Sequence, residues 1–220
     1  SLTVQELKGK KVLVTAGPTR EPLDPARFLS NRSSGKMGYA MARAAFRRGA
    51  EVTLISGPTT LPCPAGVKRI KVQSAEDMHT AVLADSIEAD IIVKSSAVAD
   101  YGPAEKFEHK EKKDQINTQM QLKQNPDILY ELGKRKRKGQ LLVGFAAESQ
   151  DLHAAGLKKL KKKNLDLIAV NDIGGVNRGF ESENNQVILL FPGGSESLPY
   201  TSKQHTADLI WDKLVSLSQK

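Results

Sequence analysis

The alternation of short apolar runs with longer amphipathic patterns is the strongest constraint on the fold of this 220-residue chain. The apolar runs are rich in Val, Ile and Leu and are bounded by small or polar residues, as buried strands are. They read KVLVTA, EVTLISG, ADIIVKSSA, QLLVGFAA, LDLIAVND and QVILLF. Helical patterns occupy residues 37–48, 75–84, 126–134, 152–163 and 203–217. We therefore predict an α/β fold, with a three-layer, Rossmann-like, mostly parallel sheet that carries helices on both faces.

One segment, residues 106–123, departs from this alternation. It is polar at first and then alternates around Ile116, Met120 and Leu122. We predict a polar flap or hairpin excursion that carries an antiparallel strand. Because its apolar residues have no obvious partner within a single sheet, we expect it to support a homodimer. No repeat or long linker divides the chain, so residues 1–220 are predicted to form a single domain.

The composition limits the class of protein but does not indicate a single function. The chain has 33 Lys plus Arg against 25 Asp plus Glu, a net charge of +8 that suits an anionic partner. No run approaches the roughly 18 apolar residues of a membrane span, so we expect a cytoplasmic protein without a membrane partner. The single cysteine, Cys63, excludes an internal disulfide and is assigned no chemistry. Because the chain begins with Ser1 and not Met, we expect it to be a piece of a longer protein.

The stretch SNRSSGKMG, residues 30–38, lies between the first strand and the first helix, where many α/β folds bind phosphate. It matches neither the G-x-G-x-x-G fingerprint nor the P-loop spacing, and the second strand ends in LISGPTT without an acidic residue for a ribose. Ser33, Ser34 and Gly35 nevertheless precede a helix, whose unpaired N–H groups favour an anion. A plain serine N-cap is the alternative, and these residues alone leave both open.

Three further stretches carry polar or small residues at predicted strand ends or helix starts, where open α/β sheets keep their sites. They are KSSAVADY, KQNPDI and VGFAAES. Together with TAGPTREPLDPARFLSNRSSGKMG and KKNLDLIAVND, they resemble phosphopantothenoylcysteine synthetase of the CTP-dependent bacterial type. The resemblance runs from about Lys10 to the C-terminus.

This resemblance implies a ligase of coenzyme A biosynthesis. The carboxylate of 4′-phosphopantothenate attacks the α-phosphate of CTP, which gives an acyl-cytidylate and pyrophosphate, and the amine of L-cysteine then displaces CMP. Mg²⁺ is implied with CTP, and no flavin is expected in this chain. In many bacteria this domain follows a flavin-dependent decarboxylase, so the full-length protein can be a fusion with that domain.

The resemblance also implies roles for individual residues. Asn31 and Lys110 are the implied catalytic residues, although an exposed Asn is commonly a turn residue and KEKK can be a solvated turn. Phe145 is implied to border the nucleotide, with core packing as the alternative, and Asp100 is implied to hold a ribose hydroxyl or a hydrated magnesium ion. The basic run at residues 134–138 is assigned no site. The implied nucleotide-binding residues are Ser33, Ser34, Gly35, Lys94, Ser95, Ser96, Asp100, Lys110, Asn125, Pro126, Asp127, Ile128, Phe145, Lys159 and Lys163.

Two other classes remain as alternatives, and a thermal-shift screen separates them. A reductase with an unusual loop would bind NADPH, and a basic nucleic-acid-binding module would use the lysine runs, although aromatic residues make up only 5% of the chain. We expect CTP with magnesium to raise the unfolding temperature, because a ligand that binds the native state stabilises it. NADPH and oligonucleotides should leave it unchanged, and a rise with either of them alone would favour the corresponding alternative.

Overall fold

The computed structural model describes residues 5–110, 119–172 and 184–218. The strands are β1 Lys11–Ala16, β2 Arg20–Pro22, β3 Phe28–Ser30, β4 Glu51–Ser56, β5 Lys68–Lys71, β6 Ile91–Lys94, β7 Tyr101–Pro103, β8 Leu122–Gln124, β9 Leu141–Glu148, β10 Leu167–Asp172, β11 Asn184–Asn185, β12 Val187–Phe191, β13 Gly194–Ser197 and β14 Thr201–Ser202. The helices are α1 Lys36–Arg47, α2 Ala75–Ser86, α3 Ile128–Arg135, α4 Leu152–Lys162 and α5 Lys203–Ser218.

The predicted α/β architecture is confirmed. An eight-stranded sheet has the order β13-β12-β10-β9-β6-β1-β4-β5. Six neighbouring strands, in the order β10, β9, β6, β1, β4 and β5, run parallel to one another. Strand β12 pairs antiparallel with β10, and β13 pairs antiparallel with β12. The sheet is therefore mostly parallel, with an antiparallel edge. The carboxyl ends of its parallel strands meet along one rim, which is where ligands bind in such sheets.

Both faces of the sheet are buried, because successive side chains of a strand point to opposite faces. Val12 and Val14 of β1 belong to a core with α1 and α5, and Leu13 between them belongs to a second core with α2, α3 and α4. Trp211 of α5 is fully buried, and its indole N–H donates to the carbonyl of Met41 in α1 at 3.0 Å. The two helices on that face are thus locked to each other.

Helix α1 lies unusually close to β1. A Cβ added at Gly38 would lie 2.5 Å from the Cβ of Ala16 and 2.8 Å from the carbonyl oxygen of Thr15. Gly35, directly before the helix, has a φ of 77°, which glycine adopts at little cost. These two glycines hold the first turn of α1 against the carboxyl end of β1.

Two short hairpins stand above the same rim. The detour between β1 and α1 forms an antiparallel pair, β2 with β3. The excursion after β6 opens and closes on a second antiparallel pair, β7 with β8, as predicted for an excursion with an antiparallel strand. Its central residues 111–118, which include Lys112, Lys113 and Ile116, lie outside the described residues.

Some elements differ from the prediction in their bounds or were missed. Helix α3 begins at Ile128 and not at residue 126, because the side chain of Asp127 caps it by accepting from the N–H of Tyr130. Strand β5, with the sequence KRIK, is a short edge strand whose basic residues gave no strand signal. Among the described residues, no helix is both long and apolar enough to cross a membrane.

Candidate functional site

A cleft with two connected lobes lies at the carboxyl ends of β6, β9 and β10. The α1 lobe, beside the start of α1, has a volume of about 300 Å³. The α3 lobe, beside the start of α3, has a volume of about 220 Å³. The two lobes share the side chains of Lys94, Val98, Asp100, Phe145 and Lys159.

The cleft brings together the predicted site residues with one exception. Lys110, in the excursion after β7, is exposed and lines neither lobe. The α1 lobe takes Asn31, Ser33, Ser34, Gly35, Lys94, Ser95, Ser96, Asp100, Phe145 and Lys159. The α3 lobe takes Asn125, Pro126, Asp127, Ile128 and Lys163, besides the residues that it shares. Residues that are far apart in the sequence therefore line one continuous surface.

The start of α1 borders the α1 lobe through Gly35, Lys36 and Met37. Its N-cap is Gly35 and no side chain caps the helix, so the alternative of a plain serine N-cap is wrong. Ser33 accepts a long hydrogen bond from the N–H of Gly35 at 3.4 Å, and Ser34 accepts one from the N–H of Lys36 at 3.5 Å. The uncapped N–H groups and the helix dipole favour negative charge in the α1 lobe.

Several predicted residues are held in place by the loops that they join. The side-chain N–H of Asn31 donates to the carbonyl of Val98 at 3.1 Å, which fixes the end of β3 to the loop after β6. The hydroxyl of Thr15 donates to that of Ser96 at 2.8 Å, inside the sheet. Asn125 donates through its side chain to the carbonyl of Ala99 at 2.8 Å. Hydrogen bonds from polar side chains thus connect the loops at the rim of the cleft.

Lys159 and Lys163 line the α3 lobe together, as their spacing of four residues predicted. Lys159 contacts Glu148 at 2.5 Å, and Lys163 contacts Asp127 at 3.0 Å. Burial raises the pKa of Asp127, but the hydrogen bond from Lys163, the Tyr130 N–H and the nearby lysine charges outweigh it, so the net pKa is lowered. Asp127 therefore stays ionised and orients Lys163.

Lys94, at the end of β6, has the most strongly perturbed ionisation in the cleft. Burial lowers its pKa to about 8, and the positive charges of Lys163 and Lys159 act in the same direction. Asp127 and Asp100 oppose this effect only in part. Its ammonium group donates to the carbonyl of Ser96 at 2.9 Å. An anion bound where the two lobes meet would relieve this excess of positive charge.

Phe145 lies both against the core and at the cleft, so its position is compatible with either predicted role. It is half-buried, packs against the core that α1 and α5 share, and lines both lobes. One part of the ring thus belongs to the core, and another part borders the cleft. The flat exposed part is a suitable surface for a planar ligand group.

The sequence analysis missed four polar residues in the wall of the α1 lobe: Lys36, Asn171, Asn185 and Lys203. Asn171 lies near the end of the strand LIAVND, so the rule that located Asp100 could have located it too. Asn185 and Lys203 gave no such signal. They reach the lobe because β11 pairs with β14 directly before α5.

The comparisons with known proteins agree with this architecture. A family model for the DNA/pantothenate metabolism flavoprotein C-terminal domain matches residues 7–217. The coenzyme A biosynthesis bifunctional protein CoaBC of Bacillus subtilis (strain 168) is 47% identical over 220 residues, which cover 99% of this chain and 54% of that protein. The CoaBC protein of Vibrio cholerae serotype O1 is 46% identical over 206 residues, covering 93% of this chain and 52% of that protein. The chain spans about half the length of these curated relatives.

A crystal structure of the C-terminal domain of a CoaBC protein superposes with a TM-score of 0.83 at 40% identity and covers 98% of both chains. This chain belongs to the family of the DNA/pantothenate metabolism flavoprotein C-terminal domain. The resemblance inferred from the sequence motifs is thereby confirmed.

The lowered pKa of Lys94 predicts a pH-dependent effect on stability. Between about pH 8 and its ordinary value of 10.5, Lys94 loses its proton in the native state but keeps it in the unfolded state. The unfolded state then binds more protons, so this residue adds stability as the pH rises through that window. We expect Lys94→Met to gain free energy of unfolding relative to the unmodified protein at pH 7, and to lose that advantage between pH 8 and 10.

Denaturant titrations at pH 7, 8, 9 and 10 measure this difference. Lys161→Met, at an exposed position outside both lobes, controls for the general loss of a lysine. A difference for Lys94→Met that is constant across the four pH values would contradict the perturbed ionisation.

Proposed function

We propose that this chain is a phosphopantothenate–cysteine ligase of coenzyme A biosynthesis, which joins 4′-phosphopantothenate to L-cysteine through an acyl-cytidylate and converts CTP to CMP and pyrophosphate. The observation that carries the proposal is the continuous cleft, in which all the expected site residues except Lys110 meet. The names of the relatives, which place them in coenzyme A biosynthesis, support the same pathway.

The proposed chemistry needs positioning and charge neutralisation rather than a covalent enzyme intermediate. A carboxylate must approach a triphosphate, and both are anions. The uncapped start of α1 offers backbone N–H groups on one side, and Lys94, Lys159 and Lys163 offer ammonium groups on the other. Asn31, anchored to Val98, is assigned to the acyl centre, where its carboxamide can donate or accept when the cysteine amine attacks.

Mg²⁺ is proposed to enter with the phosphates of CTP and to neutralise part of their charge. The described residues contain no group of three His, Cys, Asp or Glu side chains that could hold a metal ion alone, so substrate phosphates and water would have to supply most of its ligands. Asp100 is the carboxylate that lines both lobes and is proposed to contact either the ribose or the hydrated ion. The proposed reaction uses no flavin.

Base selection is assigned to backbone groups at the end of β9, near Phe145 and Ala146. Both residues line the α1 lobe, and Phe145 also lines the α3 lobe. UTP reverses the hydrogen-bonding sense of cytosine at positions 3 and 4, so it would leave buried groups unpaired. CTP is therefore the proposed nucleotide.

The proposal extends to the assembly. The residues 1–220 act as one ligase domain in the cytoplasm and form a homodimer, and a decarboxylase domain is fused to this domain in the full-length protein. The bifunctional names and double length of the relatives support the fusion. An exposed apolar surface on the two hairpins supports the dimer: Phe28, Tyr101, Phe107, Met120 and Leu122 are each between 41% and 55% exposed. A dimer would also let Lys110 reach a cleft from the excursion.

The roles of Asn31 and Lys110 predict opposite effects of two substitutions. Lys110→Gln removes a charge suited to the phosphorus transition state, so it should suppress acyl-cytidylate formation. Asn31→Asp keeps the shape of the side chain but places a negative charge beside a developing oxyanion, so it should slow the second step more than the first. In quenched reactions followed by mass spectrometry, we expect Asn31→Asp to accumulate 4′-phosphopantothenoyl-CMP and Lys110→Gln not to.

The unmodified protein with UTP in place of CTP controls for base selection, and Lys161→Gln controls for the loss of a lysine. Near-normal turnover in both site variants, or accumulation of the intermediate by Lys110→Gln, would contradict the assigned roles. Failure of the unmodified protein to form the intermediate from CTP would contradict the proposed function itself.

The homodimer predicts that a charge on the apolar hairpin surface weakens self-association. Leu122→Glu should shift the sedimentation coefficient towards that of a monomer at micromolar concentration, because the charge would be buried without a partner. Ile87→Glu is the matched control, since Ile87 is 69% exposed at the end of α2, away from both hairpins. A fully active monomer of the unmodified protein would rule out the dimer.

A further inference from the structure

One part of the wall of the α1 lobe contains polar groups that the proposed chemistry has not used. Asn171 is the last residue but one of β10, Asn185 lies in β11, and Lys203 is the first residue of α5. The pairing of Asn185 with Thr201 brings β11 to the start of α5. The first turns of α1 and α5 therefore border the same lobe from two sides.

Two hydrogen-bond acceptors in this wall have no partner among the residues that the structure describes. Asn185 is only 6% exposed, and its side-chain N–H group donates weakly to the sulfur of Met37 at 3.5 Å. Its carboxamide oxygen is buried without a partner, and so is the carboxamide oxygen of Asn171. A buried acceptor without a donor destabilises the free protein, so a bound group that supplies donors would relieve the cost.

The third residue, Lys203, brings positive charge to the same wall. Its side chain is almost fully buried, at 6% exposed, and it lies at the start of a helix, where the dipole disfavours a cation. The first turn of α5 contains no acidic residue. An anion in the lobe would lie near two helix starts, those of α1 and α5, whose dipoles favour negative charge.

We propose that Lys203, Asn171 and Asn185 form a subsite for the terminal diphosphate of the nucleoside triphosphate and for the water shell of its divalent cation. Lys203 binds a phosphate oxygen, and the two carboxamide oxygens accept hydrogen bonds from cation-bound water, which Mg²⁺ usually retains. This subsite holds the group that leaves as pyrophosphate in the first step. The inference rests on the proposed function, because it requires a triphosphate substrate.

Calorimetric titrations with CTP and CMP, each with and without Mg²⁺, test the subsite without relying on turnover. Lys203→Gln should weaken CTP binding on the order of tenfold under both conditions, because a charged hydrogen bond is lost. Asn185→Leu should weaken CTP binding only when Mg²⁺ is present. The affinity for CMP should be the same in both variants as in the unmodified protein, because CMP lacks the terminal phosphates.

Three further measurements separate binding from folding. Lys203→Arg should recover much of the CTP affinity, and Lys161→Gln should bind like the unmodified protein. Asn185→Leu should not lower the unfolding temperature of the free protein, because it removes a buried oxygen that has no partner. A residue with a purely structural role would show the reverse, with lower stability and unchanged affinity.

Several results would overturn the subsite. They are equal affinities of the unmodified protein for CTP and CMP, a loss of CMP affinity as large as that of CTP, and unchanged CTP binding in both variants. A loss of 4′-phosphopantothenate binding in place of CTP binding would also overturn it, because the phosphate would then come from the other substrate. By contrast, if the unmodified protein bound no nucleoside triphosphate, the proposed function would fail before the subsite was tested.

Discussion

The close contact between α1 and β1 is the constraint on which the cleft depends. Gly38 has no side chain, so the first turn of α1 can rest directly on Ala16 and Thr15. This contact sets the uncapped N–H groups of α1 beside the carboxyl ends of the parallel strands. Trp211 then ties α5 to α1 through the carbonyl of Met41. The two helix starts that border the α1 lobe are therefore held by one buried interface, and the geometry of the lobe follows from core packing.

The lysines of the cleft differ in how far neighbouring carboxylates neutralise their positive charge. Lys159 and Lys163 each contact a carboxylate, Glu148 or Asp127, which limits their mutual repulsion. Lys94 lies where the lobes meet, and the neighbouring Asp100 and Asp127 offset its burial only in part, so its pKa is lowered. Replacing such a buried cation by an apolar residue would raise the free energy of unfolding. Its presence at the junction of the lobes is what a site that binds an anion would require.

Much of this arrangement could be predicted because it is encoded locally. Strand β1 has the bounds of the run KVLVTA, and α4 begins where its apolar period begins, at Leu152. The strand-end rule located Asp100 and Phe145, since parallel strands bring their carboxyl ends to one rim. Asn185 and Lys203 could not be found this way, because their position depends on a two-residue strand pairing and on the docking of α5. The antiparallel edge of β12 was likewise not distinguishable from a parallel strand, because an apolar run such as VILLF carries no information on direction.

The long detour between β1 and α1 replaces the tight glycine turn of a dinucleotide-binding fold. Hydrogen bonds to buried carboxylates hold this detour in one conformation. Glu21 is buried and accepts from the N–H of Ala75 at 2.9 Å, which caps the start of α2. Asp24 is buried and accepts from the side chain of Arg27 and from the backbone N–H groups of Ala26 and Arg27. The hydrogen bond from the side chain of Arg27 holds the pKa of Asp24 below its ordinary value, against the effect of burial.

The bond of Glu21 fastens the detour to α2, and the bonds of Asp24 stiffen the detour itself. Ser30 donates to the carbonyl of Thr19 at 2.7 Å, and Asn31 then donates to Val98 across the rim. The role proposed for Asn31 requires that its amide be held within a fraction of an ångström of one position, and a flexible loop would lose that advantage to entropy. The detour thus supplies what a tight turn cannot: a rigid support that extends over the cleft and presents Asn31 beside the first turn of α1.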